Sequence, residues 1–152
     1  MGYRTIAIAR GPERAQAAAQ LGAEHYIDSN AQAPGEALAD LGGADLIIST
    51  VPTSEPVTGL LPGLAAHGRL TLVGVDAGSL TVPVGQLVSN AQSVGGHLTG
   101  STADTEEAMN FAQLNGIKPI VERMPLTAAN EALSKIAAGQ PGFRIVLDPQ
   151  GA

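Results

Sequence analysis

The chain has 152 residues, 44% of them apolar, and a formal charge of −6. That is enough for one domain with a real hydrophobic core and too little for two full ones. With 14% charged residues, 3% aromatics and 8 basic side chains, the composition excludes a disordered chain, a base-stacking platform and a partner of nucleic acid or acidic membrane.

No cysteine is present, so disulfides and thiolate metal sites are excluded. No apolar run approaches the roughly 20 residues of a membrane helix. The opening Met1-Gly2-Tyr3-Arg4-Thr5-Ile6 leads straight into a strand-like stretch without a signal-peptide core. A cytoplasmic protein is expected.

Short apolar runs alternate with segments of helical period. Thr5 to Ala9 is continuous, apolar and rich in β-branched residues, which predicts a buried strand. Pro12 suits the first turn of a helix running to Leu21, and Gly22 supplies its stop. A strand over His25 to Asp28 and a helix over Pro34 to Leu41 follow, then a strand over Asp45 to Val51. Val57, Leu60, Leu61 and Leu64 share one face of a helix predicted over Glu55 to Ala66, which Pro62 should kink or cut short.

Arg69 to Val75 reads as another buried strand, Leu80 to Val82 as a brief edge strand ended by Pro83, and Ser93 to Leu98 as a further strand. Ser101, Thr102 and Asp104 form a capping cluster before a helix to about Leu114, with Ala108, Phe111 and Ala112 facing inward. Ile120 to Met124 predicts a strand. Thr127 is expected to cap a helix whose inward stripe is Ala129, Ala132, Leu133, Ile136 and Ala137, and Phe143 to Leu147 is the last strand. Strands separated by helices imply right-handed crossovers. The class is α/β, a doubly wound parallel sheet with helices on both faces.

The motif search is mostly negative. No nucleophile elbow, Walker loop, H-E-x-x-H or C-x-x-C occurs, and G-x-G-x-x-G is absent, since Gly95, Gly96 and Gly100 have the wrong spacing. His25, His67 and His97 are scattered, which favours ordinary loop or strand-end histidines over metal ligands. Glu106 and Glu107 are sequence neighbours and diverge on a helix, as a solvated face does.

The order of segments carries more. G-Y-R-T-I-A-I-A-R, L-G-A-E-H-Y-I-D, G-A-D-L-I-I-S-T-V, G-R-L-T-L-V-G-V, G-I-K-P-I-V-E-R-M-P-L and G-F-R-I-V-L follow one another from Gly2 to the last strand. In this order the chain resembles the cofactor-binding half of medium-chain dehydrogenases/reductases, the zinc alcohol dehydrogenase superfamily. The resemblance implies a Rossmann-like sheet that here lacks the usual first strand and glycine-rich phosphate loop. It covers strands two through six of the family over residues 1–116. Residues 117–152 correspond to the tail that returns to the catalytic domain. The zinc ligands of that superfamily belong to the catalytic half, which this sequence does not contain, so the 152 residues by themselves are expected not to oxidise alcohols.

The resemblance also assigns site residues. NAD-preferring members hold an acidic residue at the end of the second strand, where it bonds the adenosine ribose. Here that place is Ala9, followed by Arg10, with Arg14 one helical turn on. Guanidinium groups suit a 2′-phosphate, which implies NADP rather than NAD, although a solvated arginine at a strand end would look the same. Thr50 and Val51 match positions flanking the adenosine and the nicotinamide-side ribose. Val73, Gly74 and Val75 match the stretch that bonds the nicotinamide carboxamide, and Gly96 and Leu98 the next strand's contribution to it. Arg144 matches an arginine reaching the pyrophosphate, and a lone arginine inside an apolar strand calls for an anion. Leu80 to Val82 matches the edge by which family members pair, implying a homodimer. The implied partner is a nicotinamide dinucleotide. A non-catalytic dinucleotide-binding or structural module is the other reading these residues leave open.

Overall fold

Every strand pairing among the described residues is parallel, as expected where each strand is followed by a return segment that brings the chain back to its starting end. The computed structural model describes residues 2–139 and 144–150. The chain divides into two compact units between Thr99 and Gly100.

In the first unit, β1 (Ile6–Ala9) leads through a 3-10 turn and α1 (Ala15–Gln20) to β2 (His25–Asp28), then α2 (Pro34–Asp40) and β3 (Ala44–Ser49). After α3 (Glu55–Thr58) and a 3-10 turn over Leu61–Gly63 come β4 (Leu64–Leu72), α4 (Val84–Ser89) and β5 (Ser93–Gly96). β1 pairs with β2 from Ile6 against His25 to Ala9 against Asp28. β3, β4 and β5 form a separate ladder in that order. Thus β1 has not moved beside β3, one arrangement by which the absence of the family's first strand could have been accommodated. Its ladder stays with the neighbour that the α1 crossover brings to it.

No backbone ladder joins the two sheets; an apolar cluster does. Ile27, Leu38, Ile47, Val57, Leu61, Leu64 and Leu70 are all buried in one contiguous core, with Ile6 and Ile8 of β1 packed against it. Leu61 and Leu70 are fully enclosed. α2 lies on the Leu61–Gly63 turn, where a side chain at Gly63 would overlap Leu38 and the Gly35 carbonyl. Only the inner face of β3 is covered: Ile47 is 7% exposed, whereas Leu46 and Ile48 are 55% and 59% exposed beside the unpaired β3 edge. Parallel strands are ordinarily covered on both faces, so this apolar patch is a local departure from the doubly wound class.

The helix predicted over Glu55 to Ala66 is corrected. It ends at Thr58, and Leu64 to Ala66 already belong to β4. Pro62 lacks the amide that a continuing helix needs and lies in the 3-10 turn. Leu80 to Val82 is not a strand, because among the described residues no neighbour offers it a ladder. Leu80 and Val82 instead pack against the core, and the unpredicted α4 begins just beyond them.

The second unit holds α5 (Thr102–Leu114), β6 (Val121–Pro125), α6 (Ala129–Ala137) and β7 (Arg144–Asp148), with β6 and β7 paired in parallel. Ser101 caps α5 in a reciprocal box with Asp104, whose amide donates to Ser101 Oγ while its carboxylate accepts the Ser101 amide. None of the α5 residues is buried, so the inward stripe of Ala108, Phe111 and Ala112 is corrected: Ala108 and Phe111 are exposed and Ala112 is half-buried. In α6 only Ala132 of the predicted stripe is buried; Leu133 and Ile136 are exposed. Thr127 does not cap α6, because a 3-10 turn over Leu126–Ala128 precedes it and Ala128 takes the cap position. Phe143 lies outside the described residues. Lys135 bonds Glu122 of β6 at 2.6 Å, tying α6 to the strand before it.

Leu70→Ala should lower the stability of the chain by about 2–5 kcal/mol, the usual cost of emptying a fully packed leucine site. Urea unfolding followed by far-ultraviolet circular dichroism measures it, with the midpoint falling and the slope unchanged.

Candidate functional site

The parallel register places three strand ends in one row, Ser49 beside Leu72 and Leu72 beside Gly96. The residues after them are tied to that row. Val73 and Gly74 amides donate to the Ser49 carbonyl at 2.9 and 3.2 Å, and the His97 amide donates to the Leu72 carbonyl at 2.9 Å. Thr50, Val51, Val73, Gly74 and Gly96 are thereby brought together. Val75 and Leu98 project farther out, 81% and 82% exposed. Gly74 is required by contact, since any Cβ there would fall on the Val51 carbonyl.

A carboxylate closes the row from outside. Asp76 Oδ2 accepts the Ser54 amide at 2.6 Å, and Oδ1 accepts the Gly78 amide at 3.1 Å. The Ser54 amide, assisted by that of Gly78 and by the Ser54 hydroxyl, holds the Asp76 carboxyl below its ordinary value. Beneath the tie lies a cleft of about 50 Å³ with Ser49, Val51, Ser54, Val57, Gly74 and Asp76 among its walls. That is room for a water or two, not for a ring.

A second group forms at the end of β1. Gly11 turns the chain with φ +81°, a left-handed conformation that favours glycine. Its amide donates to Asp28 Oδ1 at 2.8 Å, the Tyr26 hydroxyl donates to its carbonyl at 2.5 Å, and the Asn30 amide donates to the same Asp28 oxygen at 2.9 Å. Burial, then the Asp28 and Glu13 carboxylates, raise the Tyr26 phenol above its ordinary value, with Arg14 opposing them. Tyr26 is therefore a stable proton donor at neutral pH. Ala9 and Arg10 immediately precede this clamped turn, and Arg14 ends the 3-10 turn that follows it. Arg10 and Arg14 are exposed, and among the described residues neither has a hydrogen bond or an ion pair.

Arg144 stands in the second unit, exposed at the first position of β7 opposite Val121. Burial therefore creates no demand for an anion there, which corrects that part of its sequence rationale. Among the described residues no three His, Asp or Glu side chains converge where they could hold a metal. Among the described residues the side chains present do not fit a zinc site, whereas the strand ends offer backbone groups and two exposed guanidiniums stand at the Gly11 turn. Sequence reading missed Tyr26, Asp28, Ser54 and Asp76. Asp76-Ala77-Gly78 was the readable part, because Asp followed by Gly two positions on is an Asx-turn signature.

Residues 1–114 match the zinc-binding dehydrogenase family. The chain belongs to that family. It is 42% identical over 147 residues to an alcohol dehydrogenase of Aspergillus sp., covering 97% of this chain and 43% of that protein. It is 32% identical over 148 residues to a probable formaldehyde dehydrogenase of Bacillus subtilis, covering 97% and 42%. The alcohol dehydrogenase structure from Aeropyrum pernix superimposes with a TM-score of 0.86 at 26% identity over 96% of this chain and 43% of its own. A Helicobacter pylori structure described as CAD complexed with NADP(H) gives 0.81 at 26% identity over 99% and 42%. The chain thus spans about two-fifths of the length of the relatives it matches.

Asp76 supplies a pH test. Its folded-state pKa lies below the ordinary 3.8, so its stabilising contribution is complete above the unfolded value and is lost as pH falls through the folded one. Asp76→Asn should destabilise the chain at pH 7, with the difference from wild type shrinking as pH falls from the ordinary value of 3.8 through the lower folded one. Urea midpoints of both proteins across that range measure it, and a difference independent of pH would refute the assignment.

Proposed function

We propose that these 152 residues are the cofactor-binding portion of a cytoplasmic NADP-dependent alcohol or aldehyde oxidoreductase, with hydride passing between nicotinamide and an alcohol or carbonyl carbon. The observation that carries the reading is the pair of exposed guanidiniums, neither in an ion pair among the described residues, beside the clamped turn at Gly11. Ala9 offers no carboxylate to bond a free ribose or to repel a phosphate. Arg10 and Arg14 would hold the 2′-phosphate. Thr50 and Val51 would flank the riboses, and Val73, Gly74, Val75, Gly96 and Leu98 would serve the nicotinamide. Arg144 would reach the pyrophosphate, a role that rests on the family resemblance. The bound dinucleotide supplies the hydride chemistry, and the protein orients it. The Helicobacter pylori relative with NADP(H) supports this choice of cofactor.

Residues 1–116 form the dinucleotide-binding part in this reading, and 117–152 the segment returning to a catalytic domain. A catalytic zinc would sit on residues outside these 152, consistent with the absence of cysteine; the stretch by itself would bind cofactor without oxidising alcohols. That lack of ligands also favours a second reading, a dinucleotide-binding or structural module without turnover. Absorbance at 340 nm with ethanol or benzyl alcohol and NADP separates the readings when the stretch is joined to a relative's catalytic domain.

Arg10→Glu should weaken NADPH binding by about ten- to a hundredfold, the range for losing a charge-assisted contact, and change NADH binding much less. Fluorescence titration with both dinucleotides measures this, and equal affinity of the wild type for the two removes Arg10 from the site. The exposed Leu46 and Ile48 beside the free β3 edge favour pairing between chains. Light scattering should report a dimer, and Leu46→Lys combined with Ile48→Lys should shift it towards monomer. A monomeric wild type would rule out the association.

A further inference from the structure

The loops after β3 and β4 are joined twice. At their bases the Val73 and Gly74 amides share the Ser49 carbonyl, and at their tips Asp76 accepts the Ser54 amide across 22 residues of sequence. Between these ties the chains touch, Gly74 lying against the Val51 carbonyl. The second oxygen of the carboxylate is committed to its own loop through the Gly78 amide at 3.1 Å. One exposed side chain thus holds two backbone donors from different segments, where an exposed aspartate is ordinarily left to water. Its oxygens set how far apart the Ser54 and Gly78 strands of chain can lie. Val73 and Gly74, whose amides make the base tie, are assigned to the nicotinamide, and Val51, against which Gly74 lies, to the riboses.

We infer that Asp76 is a positioning residue, which fixes the separation of the β3 and β4 loops and thereby the backbone contacts offered to the nicotinamide half of the dinucleotide. The inference rests on the cofactor reading proposed above. The adenosine half, assigned to Arg10 and Arg14 at the end of another strand, lies outside the clasp and is indifferent to it. The Asp76 contacts differ in kind from those at Gly11, where Asp28 and Tyr26 hold a single turn.

The test uses the 152-residue chain with Asp76→Ala and Asp76→Asn. Hydrogen exchange of the Val73 and Gly74 amides, without ligand, reads the clasp itself. Titration with NADPH and with adenosine 2′,5′-bisphosphate reads its effect on each half. Asp76→Ala should accelerate exchange at both amides and weaken NADPH roughly tenfold, with bisphosphate binding unchanged. Asp76→Asn, which keeps one acceptor oxygen, should fall between. Unchanged exchange in Asp76→Ala would overturn the clasp. Equal weakening of both ligands would overturn its restriction to the nicotinamide half. A wild-type chain that binds neither ligand would remove the cofactor reading and the nicotinamide role with it, while exchange at Val73 and Gly74 would still decide whether Asp76 holds the loops.

Discussion

The first unit depends on an apolar cluster doing what a backbone ladder does in an unbroken sheet. β1 and β2 are bonded to each other, β3 to β4 and β4 to β5, and no ladder crosses from one group to the other. Ile27 from β2, Leu38 from α2, Ile47 from β3 and Leu70 from β4 meet in a single core instead. Burial is non-directional and scales with area. It can therefore join two sheets without specifying a hydrogen-bond register between them. Side-chain shape must then supply the specificity, which is why Leu61 and Leu70 are fully enclosed and why Gly35 and Gly63 have no room for a side chain.

The polar contacts act at the other end of the strands. Ser49 is 6% exposed, and its carbonyl receives two amides from the loop of the neighbouring strand. Asp28 receives the Gly11 and Asn30 amides, and Asp76 those of Ser54 and Gly78. Carboxylates accepting backbone amides form strong, charge-assisted bonds. Here they order turns that the short elements around them, α1 with six residues and α3 with four, could not hold by helix propagation. A rigid set of strand-end loops is what a dinucleotide site requires, because the cofactor contacts in such folds come largely from backbone at the carboxyl ends of strands.

Membership of the zinc-binding dehydrogenase family rests on residues 1–114, which include both sheets of the first unit. β1 and β3 each leave an edge unpaired among the described residues, and the exposed Leu46 and Ile48 lie beside that of β3. Relatives matched over the same region extend to more than twice this length.

The sequence by itself determined the class and, apart from Leu80–Val82 and α4, the order of elements, because buried parallel strands are contiguous apolar runs and the predicted helices end at glycine or proline. β2 was legible at both ends, from His25 to Asp28, and Ser101 with Asp104 announced α5 by a purely local exchange of hydrogen bonds. The tertiary structure decided what local period cannot express. Leu64 has helical spacing with Val57, Leu60 and Leu61, yet it lies in β4, where pairing with Ala44 outweighs that spacing. Leu80 and Val82 alternate like an edge strand but pack on the core without a ladder. Of the site, the small residues at strand ends could be placed by family order alone. Asp28 meets Gly11 across 17 residues and Asp76 meets Ser54 across 22, and a hydrogen bond between segments that distant leaves no periodic trace in the chain. Only folding, by bringing the strand ends together, pairs Asp28 with the Gly11 amide and Asp76 with the Ser54 amide.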